Sequence, residues 1–448
     1  MEDNKPLSRR DFLTKGVQLA GSAFMMTSLG SFLTACGNAV TDSSGKVTGL
    51  VFQTWTIEAK EVIETQIGQL KKQFPNIDVA LEIMSYDDYW KKIPISIAGG
   101  AGPDIFIMTR PNFEVFAKAG QALDITKEAS ASKELQANLA AMNPVFVDSY
   151  KYKGKTQGIP FGVDSVVVAV NKTMFQKEGL KPPTEMESTW TWDDLRSNAV
   201  KLTKRSGSDT TQYGYNIPTN RNPIFEYIWS NGGDIFNADG ECVWASKEGL
   251  EAMTFLTDMM LKDKVSPTPT FAKSQKSDDL FLSGKIAMMH VGNGTIPKFR
   301  GIKDFEWDLV EIPLSPKTKK RVVSTNVLGY IVGPNAKAKP EIMHFLEQLT
   351  SQESQKVYAD KGVFIPTRKD AQDPYFADPV PKNLKSFQRA LAYAKPMILS
   401  EYVPYTDVVR VITNYTEQIF GGSMDVVKGW TAAQDELNKI YKENKAKG

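Results

Sequence analysis

Two rhythms of apolar and polar positions alternate along the first quarter of the chain, and the switch between them predicts the architecture. Leu50-Val51-Phe52 is a short apolar strand signal. After it, Ile57, Val62, Ile63, Ile67, Leu70 and Phe74 keep the three-to-four spacing of one helix face until Pro75 ends the pattern. The stretches "IDVALEIMS", "YDDYWKKIPISIAG", "PDIFIMT" and "NFEVFAKAG" then read strand, helix, strand, helix. Such alternation predicts an α/β protein with a largely parallel sheet and helices on both faces. Ligands gather at the carboxyl ends of strands in these sheets, which here means Trp55, residues 85–87 including Asp87, and residues 109–112.

A second block opens at "IPFGVDSVVVAVNK", residues 159–172, where Asp164 stands between Gly162 and an apolar run at 166–170 that reads as a buried strand. An ionised carboxylate placed in a core without partners costs several kcal/mol or more, roughly. Asp164 therefore calls for a buried donor or for a visitor that brings donors. The block continues through "TWTWDDLRSNAVKLTK", "NPIFEYIWSNGGDIF", a hairpin turn at Asp239-Gly240, "KEGLEAMTFLTDMMLK" and "GKIAMMHV". Beyond "STNVLGYIVGP" come helices and the loop "GVFIPTRKD", so the chain is expected to cross between two lobes more than once.

The totals narrow the class. A chain of 448 residues is two domains by its length, or one large one, with ample core. Hydrophobic and charged fractions of 41% and 24% are those of a soluble globular protein, and a net charge of +2 asks for no nucleic acid. Two cysteines, Cys36 and Cys242, make neither a disulfide framework nor a shared metal site.

The amino terminus reads as an address. Its basic start is followed by no charge from Gly16 until Asp42, with small residues leading to Cys36. Ser8-Arg9-Arg10-Asp11-Phe12-Leu13 resembles a twin-arginine export motif, with general secretion as the other route. Leu33-Thr34-Ala35-Cys36 resembles a lipoprotein lipobox, whose Cys is acylated and becomes the mature first residue. The expectation is a signal at 1–35, a lipidated polar tether at 36–46, and a body held at the outer face of a membrane. An uncleaved membrane helix is the plainer alternative.

Catalytic sets are missing. His290 and His344 are the only histidines, too few for most hydrolytic triads or zinc sites. Ser283-Gly284-Lys285 hints at a phosphate loop, but Asp279 stands where its first Gly belongs. "IFNADGECVWAS" imitates a calcium loop, yet Ile235 and Ser246 occupy ligand positions, so no metal and no cofactor are expected. The acidic doublets Asp87-Asp88, Asp193-Asp194 and Asp278-Asp279 each open a helix pattern, where negative charge meets the helix dipole; caps explain them better than glycosidase pairs. Cys242 reads as an inert buried thiol.

Read in order, "LVFQTWT", "GGAGPDIFIMT", "IPFGVDSVVVAVNKTMFQKEGL", "IWSNGGDIFN", "LFLSGKIAMMHVGNG", "FEWDLVEIPL" and "LGYIVGPNAKAKPEIMHFLEQLTSQESQKVYADKGVFIPTRKD" resemble the extracellular solute-binding proteins of ABC importers, in the carbohydrate-binding family that includes maltose-binding protein. The resemblance covers about residues 46–440. It implies a type II, two-lobed periplasmic-binding-protein-like fold, each lobe a mostly parallel sheet flanked by helices, with several interlobe crossings. Lobe 1 would take 47–162 and 330–375, lobe 2 163–329 and 376–448.

The resemblance further implies a sugar held in the interlobe cleft, handed to a permease, with no chemical step. Asp164, at a hinge crossing, would accept hydrogen bonds from sugar hydroxyls; a structural Asp capping nearby amides is the plainer alternative. Flat apolar partners would be Trp55, Trp229, beside Gly233, and Tyr405, with Phe364 a weaker candidate; core packing is the alternative for each. Polar partners would be Asp87, Arg110, Asn112, Asn222, Asn293 and Asn326. Met108 and Gly294 stand where maltose-binding protein offers aromatics, so another sugar or a wider cleft is expected. Partners would be an oligosaccharide, the permease, and the membrane through Cys36, for a monomer that binds no nucleic acid. A receptor for a peptide or polyol phosphate, an exported glycosidase or lyase, and a scaffold without ligand stay open as rivals.

Overall fold

Nearly uninterrupted apolar strands need cover on both faces, and the strands of this chain have it. A computed structural model describes residues 48–186, 189–207, 209–219 and 221–447, with the side chains of 221 and 222 outside that set; the expected signal, tether and Cys36 also lie outside the described residues. The main strands are β1 (Thr48–Thr54), β2 (Ile77–Ile83), β3 (Ile105–Thr109), β4 (Ile159–Asp164), β5 (Val166–Asn171), β6 (Met288–Gly292), β7 (Trp307–Val310), β8 (Val323–Val332), β9 (Ile365–Pro366) and β10 (Ala394–Pro396). A seven-stranded sheet runs in the order β9-β4-β8-β3-β1-β2, with β10 paired to β8, and a three-stranded sheet runs β6-β5-β7.

Alternate residues of β3 point to opposite sides, and both sides are filled. Ile105 and Ile107 join Phe52, Phe161 and Tyr330 in one apolar cluster, whereas Phe106 and Met108 join Val163 and Ile331 in the other. The second cluster continues into the β5 run Val167, Val168, Ala169 and Val170, all buried.

Helices α1 (Lys60–Gln73), α2 (Tyr86–Ala98), α3 (Arg110–Lys118), α4 (Trp192–Leu202), α5 (Arg221–Ser230), α6 (Lys247–Leu261), α7 (Ser277–Leu282), α8 (Lys339–Leu349), α9 (Tyr405–Phe420) and α10 (Val426–Ala446) cover the sheets. The three acidic doublets lie in the first turns of α2, α4 and α7. Ser85 caps α2 by accepting from the Asp88 amide at 3.2 Å, and Thr191 and Asp194 form a reciprocal capping box on α4. The turn at Asp239-Gly240 closes an antiparallel bridge between Phe236 and Cys242, with Gly240 at a φ of +83°. Cys242 is buried, and burial pushes its thiol well up. No described helix is long and apolar enough to cross a membrane.

The expectation of a mostly parallel sheet in each lobe needs correction. In the seven-stranded sheet β1 pairs parallel with β2 and β3, but β8 runs antiparallel to both β3 and β4. In the three-stranded sheet β6 and β7 both run antiparallel to β5; only the bridges Tyr213 to Ile286 and Asn216 to Met289 beside it are parallel. A strand buried on both faces has the same apolar signature in either direction, so the hydrophobic rhythm carries no sign of orientation.

A passage of one residue ties the sheets together. β4 belongs to the first sheet and β5 to the second, with Ser165 the single residue between them. β8 pairs with β10 over Val323, Ser324 and Thr325, then with β4 from Asn326 onward, where Asn326 faces Asp164. Beneath this ladder the buried ring of Tyr150 lies against Gly329, and its hydroxyl sits 2.8 and 2.9 Å from the carbonyl oxygens of Met108 and Val327, sharing its proton between them.

Candidate functional site

Polar residues converge where the chain leaves β4 for the second sheet. Asp164 ends β4 partly exposed although protein surrounds it, and Asn326 is its ladder partner on β8. Asn326 Oδ1 accepts from the Arg110 amide at 3.3 Å, which fixes that side chain. Asn293 follows β6 and clasps the crossing: its Oδ1 accepts from the Ser165 amide at 2.9 Å while its own amide donates to the Ser165 carbonyl at 3.2 Å. The buried Nδ2 of Asn293 makes no well-formed hydrogen bond among the described residues, interacting only loosely with the Asp164 carboxyl and the Tyr375 hydroxyl, and Ser165 Oγ also lacks a partner among them. Burial pushes the Asp164 carboxyl up to about 6, against the pull of the Asn326 and Asn293 amides. Tyr375, in the short turn Asp373–Phe376, completes the cluster; burial raises its hydroxyl to about 12, drawn back by Asn293 and raised further by the negative charge of Asp164.

A second assembly adjoins the first. A pocket of about 420 Å³ is walled by Tyr86, Asp87 and Trp90 of α2, Asn112 and Phe116 of α3, and Tyr405 at the start of α9. Trp55 stands behind this wall, edge-on to Tyr86 and Tyr89 at 5.6 and 4.9 Å between ring centres and tilted against Trp90 at 5.4 Å. Asn112 Nδ2 donates to Thr109 Oγ1 at 2.8 Å, and Thr109 precedes the Arg110 whose amide reaches Asn326. The end of β3 thus joins the aromatic pocket to the Asp164 cluster.

Of the residues singled out from sequence, Asp87, Asn112 and Tyr405 line the pocket, Trp55 backs it, and Asp164, Asn293 and Asn326 form the cluster. The Arg110 backbone takes part, but its guanidinium is buried, forked onto both oxygens of Glu114 and placed 5.1 Å from the Phe113 ring. Trp229 sits apart on α5: its ring is buried, Nε1 donates to Asp234 at 2.8 Å, and Lys395 lies 4.7 Å from the ring centre. A side chain at Gly233 would meet Ile228, Ser246 and Glu248, so that glycine serves close packing. Phe364 packs edge-on to Phe161 beside the β9 to β4 pairing. The side chain of Asn222 lies outside the described residues.

Tyr86, Trp90, Phe116 and Tyr375 of the candidate site were not singled out beforehand. Tyr86 and Trp90 stand four apart on α2, a spacing that puts both on one helix face and was visible in "YDDYWKK". Tyr375 carried no local signal; only the path of the chain brings it to Asn293.

Two sheets joined where β4 runs through Ser165 into β5, with a polar cluster at the crossing and a pocket beside it, define the two-lobed type II binding-protein class. Residues 54–356 match the family described as bacterial extracellular solute-binding protein, and the chain belongs to that family. A chain of Brucella abortus (strain 2308) named as a binding protein is 23% identical over 383 residues, 83% of this chain and 89% of that one. The ABC substrate-binding protein of Listeria monocytogenes, solved in complex with cycloalternan, superposes with a TM-score of 0.76 at 26% identity, covering 88% of this chain and 98% of that one. The cyclic alpha-maltosyl-1,6-maltose binding protein of Arthrobacter globiformis superposes with a TM-score of 0.75 at 17% identity over 89% of this chain and all, 100%, of that one.

Proposed function

We propose that this chain is an extracytoplasmic receptor that binds a neutral oligosaccharide at the Asp164 cluster and the adjoining aromatic pocket, and delivers it to the permease of an ABC importer. The observation that carries this reading is a carboxylate at the strand crossing beside Asn293 Nδ2, a buried amide donor without a well-formed hydrogen bond among the described residues, next to a pocket walled by Tyr86, Trp90 and Tyr405. Sugars ask for both kinds of surface: planar polar groups for hydroxyls and flat apolar rings for C–H faces. The Listeria protein in complex with cycloalternan and the cyclic alpha-maltosyl-1,6-maltose binding protein of Arthrobacter support the same class of ligand.

The mechanism is differential binding, without bond making or breaking. Hydrogen bonds to charged groups contribute about 1.5 to 3 kcal/mol each. Inverting a two-state equilibrium from 1:99 to 99:1 takes about 5.5 kcal/mol, so two or three bonds formed only when both lobes engage the sugar suffice to close the receptor. In this reading lobe 1 comprises 47–162 and 330–375 and lobe 2 163–329 and 376–448, and the mature chain is anchored through acylated Cys36.

A thermal-shift screen of the purified chain against mono- and oligosaccharides tests the proposal, with labelled sugars followed for turnover. Stoichiometric retention without product is expected; turnover assigns the site to an enzyme instead, and no shift with any sugar removes the carbohydrate reading. Tyr405→Ala is expected to weaken retention about tenfold through lost stacking area while leaving the unfolding midpoint near that of the parent, because Tyr405 is only half-buried at the first position of α9. Isothermal calorimetry with the best sugar of the screen, paired with a denaturant titration, measures both.

A further inference from the structure

Next to the crossing lies a polar pocket that the site above does not use. It measures about 260 Å³, and its wall includes Asn216, Thr219, Ser277, Asp278 and His290. Val166 and Gly292 also border it; each adjoins a residue of the Asp164 cluster, Ser165 on one strand and Asn293 on the other, so the two sites share an edge. Ser277 Oγ donates to Asn216 Oδ1 at 3.0 Å, which holds both side chains at the rim.

His290 is the unusual member of this wall. Its side chain is 6% exposed, and neither ring nitrogen has a hydrogen bond within the protein. Nδ1 lies 3.4 Å from Oε2 of Glu226, a carboxyl on α5 that is fully buried and whose Oε2 also lacks a bond, while its Oε1 accepts from the Ser324 amide of β8 at 2.9 Å. The Tyr215 and Tyr227 rings flank the imidazole at 6.1 Å, their hydroxyls 3.1 Å apart and engaged with each other, so they supply no partner for it. Burial pushes the Glu226 carboxyl up and holds the His290 imidazole down at about 3, so each is disfavoured in its charged form. Nδ1 is the ring nitrogen that faces Glu226. Nε2, as donor or acceptor, is a buried polar atom without a partner among the described residues.

We propose that this pocket is an additional hydroxyl-binding subsite of the carbohydrate cleft, with His290 as its hydrogen-bonding group and Glu226 as the positioning residue that orients the imidazole and ties it to strand β8. The inference rests on the carbohydrate reading and extends it: the ligand is long enough to reach from the aromatic pocket past Asp164 to His290. An unsatisfied buried polar atom is costly to leave unpaired, which is why a hydroxyl that reaches it counts more than one at the rim.

With only two histidines in the chain, His290 and His344, a ¹H–¹⁵N spectrum of histidine-labelled full chain shows two imidazoles, assigned by His344→Gln. Maltotriose, arabinotriose and mannotriose serve as probes, each titrated at pH 7.5 with calorimetry in parallel. For a trisaccharide that is retained, the His290 signals are expected to shift to saturation while those of His344, stacked on Phe74 outside the cleft, stay put. His290→Phe is expected to weaken the same sugar tenfold or more, and Glu226→Gln, which keeps a side chain of the same shape beside Nδ1, to retain most of the parent affinity. A retained trisaccharide that leaves His290 unmoved, with His290→Phe within twofold of the parent, overturns the subsite and leaves the receptor reading standing. Failure of all three sugars to be retained removes both together.

Discussion

Asp164→Asn is expected to lose sugar affinity and gain stability at once, a pairing that a merely structural carboxylate does not produce. In the absence of ligand the carboxyl is held at about 6 by burial, well above the roughly 3.9 of an unfolded chain. For a raised acid the sign is fixed: its contribution is fully present below pH 4, is lost as pH climbs through the folded value, and leaves a charged group in an unfavourable place at neutral pH. The neutral amide removes that penalty, so the variant is expected to exceed the parent by about 2 to 3 kcal/mol at pH 7.5 and by little at pH 4. Sugar binding moves the other way, with a loss of about 1.5 to 3 kcal/mol, tenfold to a hundredfold, because a charged acceptor has become a neutral one. The parent itself is expected to bind more weakly as pH falls from 7 to 5 and Asp164 takes up a proton. Denaturant titrations at the two pH values and calorimetry with the best sugar of the screen decide the matter; equal affinities for parent and variant take Asp164 out of the site.

Gly329→Ala is expected to cost about 3 kcal/mol or more of stability and to disturb the site from below. A Cβ there would stand 2.4 Å from the Tyr150 ring, which is fully buried and fixed by its hydroxyl beneath Met108 and Val327. Nothing at the far end of a flexible chain is available to give way; either the ring or β8 must shift, and β8 carries Asn326 three residues earlier. Tyr150→Leu in the same chain relieves the clash, so the double variant is expected to be more stable than the sum of the two single losses predicts. Strict additivity in a double-mutant cycle would mean that the two residues do not press on each other.

Much of the candidate site was legible because its residues stand at positions whose local signals conflict with their surroundings. Asp164 interrupts an apolar strand pair, Asn112 follows a strand end, and Trp55 comes directly after β1, each readable from its neighbours alone. Arg110 misled because its partner, Glu114, is one helical turn away; the spacing was visible, but only packing decides whether a fork faces a ligand or its own helix. Trp229 and Gly233 likewise sit in a segment rich in binding-site residue types yet turn into the packing around α5 and α6. Tyr375 was invisible, since its role comes wholly from meeting Asn293 across the fold.

By itself the sequence determined the order and type of the elements, the caps on α2 and α4, the continuous apolar strands and the family to which they add up, because each of these follows from near neighbours along the chain. Tertiary structure alone decided the antiparallel second sheet, the meeting of Asp164 with Asn326 and Asn293, the commitment of Arg110 to Glu114, and the burial of Glu226 beside His290 at the polar pocket. The reason is physical: orientation, contact and the energy of a buried charge depend on what stands across the fold, and no local pattern of residues records it.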